Sequence, residues 1–205
     1  SKGFDQHLLN ADLFDAAKHP TMRFVSDRLV FEGDRLVDVA ITDGECDIML
    51  SASTGKALRS PETQVRPMGR AAAGVRGMRL PEGHEIIALL ILGEGEVLTA
   101  TETGYGKRTA VDEFPVQGRG GQGVIAIQTS DRNGRMVGAI QARQEDEIML
   151  ISSGGTLVRT PVAEISQQGR NTQGVRLIRI GEDERLVGLD RIVPGTDADD
   201  GEPAE

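Results

Sequence analysis

The sequence predicts an all-β protein built from a repeated unit of about 50 residues. The stretch EGDRLVDVAITDGECDIMLSASTGKALRS recurs, with substitutions, as EGHEIIALLILGEGEVLTATETGYGKRT and again as NGRMVGAIQARQEDEIMLISSGGTLVRT. Within each copy, short runs rich in Val, Ile and Leu alternate with Gly, Asn, Ser and Asp, the residues that favour turns. Self-similarity at this period is typical of repeat proteins and propellers, because one unit cannot bury its own apolar face.

Glycines and arginines recur at equivalent positions of the three copies, 49 to 51 residues apart. The anchors include Gly33, Gly83 and Gly134; Gly55, Gly104 and Gly155; and Arg59, Arg108 and Arg159. They divide the repeats into residues 33–82, 83–133 and 134–193, and a fourth copy begins with EDERLVGLDRIV. We therefore expect about three blades plus a partial one within residues 33–193.

Each copy contains four predicted strands. In the third copy these are Met136–Ala142, Ile148–Ser152, Leu157–Val162 and Val175–Ile180. Four strands per unit predict a β-propeller blade. Kelch-type propellers have a similar period, but the absence of Trp and the low aromatic content fit that family poorly. A TIM barrel or a doubly wound fold would require helical periodicity between strands, and none is visible after residue 32.

The two ends of the chain differ from the repeats. In the head, residues 1–32, an apolar helical face containing Leu8, Leu9 and Leu13 is followed by a predicted strand at Met22–Val25. The net charge is −9, of which −5 belongs to residues 193–205 and −4 to the rest of the chain. We expect the tail, residues 194–205, to be disordered because it has few groups to bury. The repeats are thus close to neutral, and the overall charge does not exclude a polyanionic partner.

Composition and spacing argue against several other classes of protein. The longest apolar run, Ile86–Leu92, is too short to span a bilayer. The single cysteine, Cys46, excludes an internal disulfide and favours a reducing compartment. The three histidines lie far apart, Cys46 has no ligand nearby in sequence, and we expect no metal site. We read the acidic run Glu145–Glu147 as a solvated turn, because Asp47 and Glu96 are equivalent to Glu147. Residues 152–156, SSGGT, lack the lysine of a P-loop.

A loop containing glycine and arginine follows the hairpin in every copy: MGRAAAGVRGMRL, QGRGGQGVIAIQT and QGRNTQGVRLIRI. Its glycines, Gly69, Gly118 and Gly169 with Gly74, Gly123 and Gly174, are expected to supply positive φ at turns. That role does not explain the arginines beside them. Seventeen of the 19 basic residues in 33–192 are arginine. Codon bias would account for that ratio, but not for periodic placement. Guanidinium groups pair well with phosphate, so their recurrence predicts a track for a polyanion.

The repeats resemble the C-terminal domain family of the DNA gyrase A subunit over residues 33–193. The similarity is carried by GKALRSPETQVRPMGRAAAGVRGMRL, LTATETGYGKRTAVDEFPVQGRGGQGVIAI and GTLVRTPVAEISQQGRNTQGVRLIRI. The resemblance implies a β-pinwheel whose basic rim wraps double-stranded DNA within an ATP-dependent type II topoisomerase of the bacterial cytoplasm and nucleoid. It also implies that this chain supports negative supercoiling without carrying the catalytic tyrosine. ATP, Mg²⁺, the rest of gyrase A and gyrase B would then belong to the holoenzyme.

Residue by residue, the resemblance yields a set of candidate DNA contacts. They are Lys56, Arg59, Arg70, Lys107, Arg108, Arg119, Arg159 and Arg170. The family's wrapping box has a counterpart in Gln117, Gly118, Arg119, Gly120, Gly121, Gln122 and Gly123. Gly118 and Gln122 replace basic residues of the box, and this loop lies in the second copy, whereas the box belongs in the first blade. We therefore expect a degenerate internal version of it. Tyr105 aligns with Lys56 and Thr156, so we expect it to be structural and no catalytic residue to be present.

The head resembles another family. FDQHLLNADLFDAAKHPTMRFVS is similar to a segment of the lipocalin-like polyisoprenoid-binding family, and the change near FEGDRLV suggests a chimera. Only residues 4–31 match, too few to enclose an isoprenoid. Two alternatives to DNA wrapping stay open for the repeats: a topoisomerase IV-like C-terminal domain that bends DNA weakly, and a noncatalytic propeller that binds proteins. A gel shift with linear and supercoiled DNA separates wrapping from protein binding.

Overall fold

The computed structural model describes residue 38 and residues 40–68, 72–181 and 183–192. The predicted head, the loop residues Gly69 and Arg70, and the acidic tail lie outside these ranges. In the described part, the strands are β1 (Asp47–Ala52), β2 (Lys56–Pro61), β3 (Ile86–Leu92), β4 (Glu96–Thr101), β5 (Tyr105–Ala110), β6 (Val124–Ile125), β7 (Met136–Ala142), β8 (Glu147–Ser152), β9 (Leu157–Pro161), β10 (Val175–Arg176) and β11 (Leu186–Ile192). The predicted all-β class is confirmed.

A single turn of 3-10 helix follows the second hairpin strand of each repeat. These turns are Glu62–Gln64, Val111–Glu113 and Val162–Glu164. Each is preceded by extended backbone at Pro61, Ala110 or Pro161, where φ is close to −60°. None of the described helices is long and apolar enough to cross a membrane.

The strands form three antiparallel sheets, in the orders β3-β1-β2-β6, β10-β5-β4-β7 and β11-β8-β9. In the first two sheets a hairpin from one repeat is completed by two strands of the following repeat. The hairpin β1–β2, for example, pairs with β3 through β1 and with β6 through β2. The sequence repeat and the sheet are therefore out of phase, and each four-stranded sheet links two repeats by backbone hydrogen bonds.

The sheets stack face to face, and the central strands β1 and β4 carry apolar side chains on both faces. On β1, Ile48 and Leu50 pack into one core cluster, whereas Met49 points the other way and packs with Val97 of the second sheet. Leu98, on the opposite face of β4, packs with Ile148 of the third sheet. Complete burial of one such side chain contributes roughly 2 kcal/mol to the free energy of folding. Alternation along each strand thus joins the three sheets into one stack.

The order of strands defines an inner and an outer side of the stack. Strands β3, β7 and β11 lie next to one another and line an open cleft of about 470 Å³. Strands β6 and β10 lie at the opposite edge of their sheets. The loops that carry glycine and arginine lead directly into these outer strands, so the sheet topology places them at the outer edge.

Candidate nucleic-acid interface

The hairpin arginines form ion pairs across their own hairpins. Arg59 contacts Asp47 at 2.8 Å. Arg108 contacts Glu96 at 2.6 Å. Arg159 Nε donates to Glu147 Oε2 at 2.7 Å. The recurring acidic residue that begins the first strand of each hairpin is therefore the partner of the recurring arginine. The solvated-turn interpretation of Glu145–Glu147 is corrected accordingly: Glu147 is ion-paired, and Asp146 is buried with its carboxylate on the Arg143 N–H at 2.8 Å.

Two of these arginines also tie successive repeats together. Arg59 Nη1 donates to the carbonyls of Val111 and Phe114 at 3.1 and 3.3 Å. Arg108 Nε donates to the carbonyl of Ile165 at 2.7 Å, and the Arg108 side chain is only 8% exposed. The predicted rim position of Arg108 is wrong, because its guanidinium is enclosed by protein acceptors. The Arg159 side chain, by contrast, is 60% exposed.

Lys107 is also not on the surface. Its side chain is fully buried, and Nζ donates to the carbonyls of Gly169 and Arg170, the latter at 2.6 Å. Burial lowers the pKa of Lys107 to about 8; Glu113 opposes this shift and Arg170 adds to it. Its predicted role as a DNA contact is wrong, because the buried ammonium group donates to the backbone of the arginine loop of the third repeat. The equivalent residues, Leu58 and Val158, are apolar, so alignment of the repeats could have indicated an interior position.

The loop arginines lie nearer to solvent. Arg119 is exposed; its Nε donates to the carbonyl of Gln64 at 3.0 Å and its Nη1 to that of Arg76 at 3.3 Å. Arg170 is half-buried, and its Nη1 donates to the carbonyl of Ile125 at 3.1 Å. Ile125 is equivalent to Arg76, so each arginine donates to the equivalent carbonyl of the repeat that precedes it. Neither forms an ion pair with a carboxylate in the described part of the chain.

The box-like loop is held by its backbone. The Gln117 N–H donates to the Arg59 carbonyl at 2.8 Å, and Gly121 accepts from the Arg79 N–H at 2.7 Å. Gly120 also bonds to the first repeat through the Gly77 carbonyl. Gly118 and Gln122 are exposed. The loop therefore docks on the first repeat and presents Arg119 outward.

The glycine prediction is correct for one position of the loop and wrong for another. Gly123 and Gly174 have φ of 71° and 77°, and a Cβ on either would lie about 2.5 Å from the carbonyl oxygen of Ala57 or Gly106. Gly118 and Gly169 do not have positive φ, and nothing lies within 4 Å of a Cβ on Gly118. Of the two predicted glycine positions, only the second is thus required by backbone geometry. Gly69 lies outside the described residues.

Two further candidate DNA contacts are Lys56 and Arg70. Lys56 is half-buried and begins β2, where it lies opposite Ile125 of the outer strand β6. Arg70 lies outside the described residues. Lys56 therefore occupies the outer edge of the first sheet, and its contact with DNA stays a prediction.

Sequence reasoning missed a second group of arginines, which follow the loop glycine. Arg76, Arg79, Arg176 and Arg179 are exposed, whereas Met78 between the first two is buried. Arg66 is exposed near Arg119, whose Nε contacts the carbonyl of Gln64. None of these five forms an ion pair with a described carboxylate. The signal was present in VRGMRL and VRLIRI, where two arginines three residues apart recur after the loop glycine in the first and third copies.

Cys46 does have ligand-type neighbours, contrary to the sequence-based statement. Its thiol donates to Asp43 Oδ1 at 3.2 Å, its N–H donates to Glu62 Oε1 at 2.9 Å, and the three side chains cluster within 4.8 Å. The hydrogen bond to Asp43 and burial raise the pKa of the Cys46 thiol.

Comparisons with known proteins agree with the repeat architecture. A family model described as DNA gyrase C-terminal domain, beta-propeller, matches residues 47–92, 95–143 and 146–192. Each matched unit begins with a hairpin and ends with the inner strand that pairs with this hairpin. The boundaries of the matched units therefore follow the sheets more closely than they follow the sequence repeat. A second model, described as YceI-like domain, matches residues 1–57 and overlaps the first at 47–57. The predicted change of family near the head is confirmed, although the match extends further than residue 31.

Curated relatives and solved structures are similar over most of the chain. The DNA gyrase A subunit of Pseudomonas aeruginosa is 55% identical over 170 residues, which are 82% of this chain and 18% of that protein. The DNA gyrase A subunit of Escherichia coli is 51% identical over 82% of this chain and 19% of that protein. The chain thus spans about a fifth of the length of these relatives. The C-terminal domain of DNA topoisomerase IV superposes with a TM-score of 0.74 and 28% identity, covering 80% of this chain and 51% of the other. The DNA gyrase A C-terminal domain gives 0.71 and 23%, covering 84% and 64%.

Proposed function

The chain belongs to the DNA gyrase C-terminal domain family, and from that premise we propose that it binds double-stranded DNA along its outer edge and wraps it. The observation that carries the proposal is a set of exposed arginines near the outer edge that lack a carboxylate partner among the described residues. They are Arg66, Arg76, Arg79, Arg119, Arg176 and Arg179. Unpaired guanidinium groups are the donors that phosphate oxygens accept most readily.

The densest part of this set lies where the first two repeats meet. Arg119 Nη1 contacts the Arg76 carbonyl, and the Arg79 N–H contacts the Gly121 carbonyl, so three arginines come from two adjacent backbone segments. Their backbones are fixed by these hydrogen bonds, which reduces the entropy lost when a phosphate binds. We name Arg76, Arg79 and Arg119 the junction arginines.

Stacked sheets suit wrapping better than binding of one short site. Equivalent outer strands, β6 and β10, recur in the first two sheets, so the chain offers phosphate contacts along a path rather than at a point. Bending a site of 20–30 base pairs costs on the order of 1–6 kcal/mol, which several phosphate contacts can offset. The proposal therefore predicts binding that depends on salt and bends DNA, with little dependence on base sequence.

Replacing the junction arginines tests the proposal. If each neutralises one phosphate, the triple variant R76Q/R79Q/R119Q lowers the slope of log K against log salt by about 2.7 on duplex DNA. The matched control is R143Q/R159Q/R191Q, which removes the same charge from exposed arginines that already have carboxylate partners at Glu94, Glu147 and Asp146. The candidate contact Arg159 is thereby withdrawn from the proposed DNA surface, because Glu147 already neutralises its guanidinium group.

Fluorescence anisotropy of a labelled duplex at several salt concentrations measures both slopes. We expect the control to keep most of the wild-type slope. Equal slopes for the two triple variants would show that net charge alone governs binding and would refute a phosphate track at the junction. No DNA binding by the wild-type chain at low salt would refute the proposed function itself.

A topoisomerase IV-like role is the second candidate, favoured by the 28% identical structural neighbour with a TM-score of 0.74. Both roles predict DNA binding, so the extent of wrapping decides between them. Sealing a nicked plasmid in the presence of the chain and measuring the linking number separates them. A linking-number change that grows with protein concentration supports wrapping, and binding without such a change supports the weaker bending role.

We further propose that the chain works as part of a bacterial type II topoisomerase with the remainder of gyrase A and with gyrase B, in the cytoplasm near the nucleoid. ATP and Mg²⁺ would be bound by those other parts, and the chain alone would not relax plasmid DNA. Adding the chain to a gyrase holoenzyme that lacks its own C-terminal domains should restore supercoiling in part. Relaxation of supercoiled plasmid by the pure chain would contradict this assignment.

A further inference from the structure

Tyr105, the one tyrosine of the sequence, lies between two exposed arginines at the outer edge of the second sheet. The guanidinium carbons of Arg132 and Arg176 are 4.9 and 5.3 Å from the centre of its ring. Arg132 Nε and Arg176 Nη2 both donate to its hydroxyl oxygen, at 3.4 and 2.9 Å. Two cationic groups from different segments therefore converge on one phenol.

The backbone on both sides of this cluster is held in place. Arg176 lies in β10 and pairs directly with Tyr105 in β5. The carbonyl of Arg132 accepts a hydrogen bond from Thr103 Oγ1 at 3.1 Å. The next residue, Asn133, is fully buried, and its Nδ2 donates to the carbonyls of Gln128 and Gln173. The turn that carries Arg132 is thereby tied to the segment that leads into β10.

The charge of the cluster is not balanced by its described neighbours. Neither Arg132 nor Arg176 forms an ion pair with a carboxylate in the described ranges. The two guanidinium groups repel each other, and Tyr105 supplies only a neutral acceptor for one N–H of each. An anion that accepts from the remaining N–H groups would relieve the repulsion.

We propose that Arg132 and Arg176 form a phosphodiester clamp for DNA that passes along the second sheet, with Tyr105 as the residue that positions both arginines. The inference rests on the proposed function and deepens it. A phosphodiester fits because its two free oxygens lie side by side and can accept from two forks at once. In the first sheet the position of Tyr105 is occupied by Lys56, which offers one cation and no phenol. The clamp therefore distinguishes the second sheet from the first.

Charge removal is the first test. The variant R132Q/R176Q should lower the slope of log K against log salt by about 0.9 for duplex DNA, because the two arginines share one phosphate. The control R143Q/R191Q removes two exposed arginines that already have carboxylate partners. Tyr105→Phe keeps the ring but removes the shared acceptor, and we expect roughly three- to tenfold weaker binding from the loss of hydrogen bonds to charged groups. Thermal melting identifies any variant that is unfolded. If Tyr105→Phe does not fold, the R132Q/R176Q variant still decides the test, because both of its substitutions are at exposed positions.

Ultraviolet absorbance of the phenolate near 295 nm gives a readout that a purely structural role would not move. Hydrogen bonds from Arg132 and Arg176 lower the pKa of Tyr105. A phosphate on the two arginines weakens that effect, so the pKa rises and the phenolate signal at pH 9.5 falls as inorganic polyphosphate or duplex DNA is added. Poly-glutamate of equal charge should change the signal much less.

The outcomes separate this inference from the proposed function. If wild-type chain binds DNA and the junction variant loses slope, but R132Q/R176Q and Tyr105→Phe bind like the wild type, the clamp is refuted and the proposed function stands. An equal phenolate response to poly-glutamate refutes a phosphodiester site. Loss of slope in R132Q/R176Q, weaker binding by folded Tyr105→Phe and a phosphate-specific phenolate response together support it.

Discussion

Replacement of Lys107 by methionine should change how the stability of the fold depends on pH. Methionine keeps an unbranched apolar side chain in the buried position and removes the ammonium group. In the folded chain burial lowers the pKa of Lys107 from 10.5 to about 8. The unfolded chain therefore binds more protons at this residue between pH 8 and 10.5, and stability must rise with pH across that window.

The size of the effect follows from the shift. Lowering the pKa from 10.5 to about 8 corresponds to at most about 3 kcal/mol of destabilisation, which is fully present well below pH 8. Between pH 7 and pH 10 most of this destabilisation, roughly 2–3 kcal/mol, is relieved as the folded chain loses the proton. At pH 7 the methionine variant also loses two hydrogen bonds from the ammonium group to the carbonyls of Gly169 and Arg170, and a hydrogen bond to a charged group contributes roughly 1.5–3 kcal/mol. These losses oppose the relief from removing a buried charge, so the pH dependence, and not the stability at pH 7, reports the charge of Lys107.

Urea unfolding of both proteins between pH 7 and 10, followed by circular dichroism, measures the difference. The wild-type free energy of unfolding should gain roughly 2–3 kcal/mol relative to Lys107→Met over this range. Lys56→Met is the matched control, because it removes one lysine from a half-buried position of the first hairpin. Parallel curves for the wild type and Lys107→Met would refute the conclusion that burial governs the charge of Lys107.

Two further predictions concern the links between repeats. Arg108→Gln should lower the free energy of unfolding by roughly 2–4 kcal/mol, because it leaves a largely buried carboxylate unpaired; Arg159→Gln, at the equivalent exposed pair, should cost under about 1 kcal/mol. Equal losses in urea unfolding would show that burial of the pair is irrelevant. Gly123→Ala should destabilise by about 1–3 kcal/mol because φ is 71° and the added Cβ meets a backbone carbonyl, whereas Gly118→Ala should be close to neutral. A destabilised Gly118→Ala with an unaffected Gly123→Ala would contradict the assigned turn geometry.

Much of the fold was accessible from the sequence because strands and turns depend on local patterns. The predicted strand Met136–Ala142 coincides with β7, and Leu157–Val162 differs from β9 by one residue. The repeat spacing identified equivalent positions, and the residues that carried the family resemblance lie within the matched units. Val175–Ile180 is regular only at Val175–Arg176, because the segment leaves the edge of the sheet after two paired residues.

Which residues face DNA could not be read from the same patterns. A periodic arginine is equally compatible with a rim contact and with a link between repeats, since both recur once per unit. Arg59 reaches carbonyls 52 and 55 residues further along the chain, and Lys107 reaches one 62 residues further. Such acceptors become neighbours only when sheets stack. The sequence by itself therefore determined the repeat, the strands and the family, because these depend on local spacing. The tertiary structure alone decided which cations are buried among carbonyls and which remain exposed, because burial and pairing depend on residues from the next repeat.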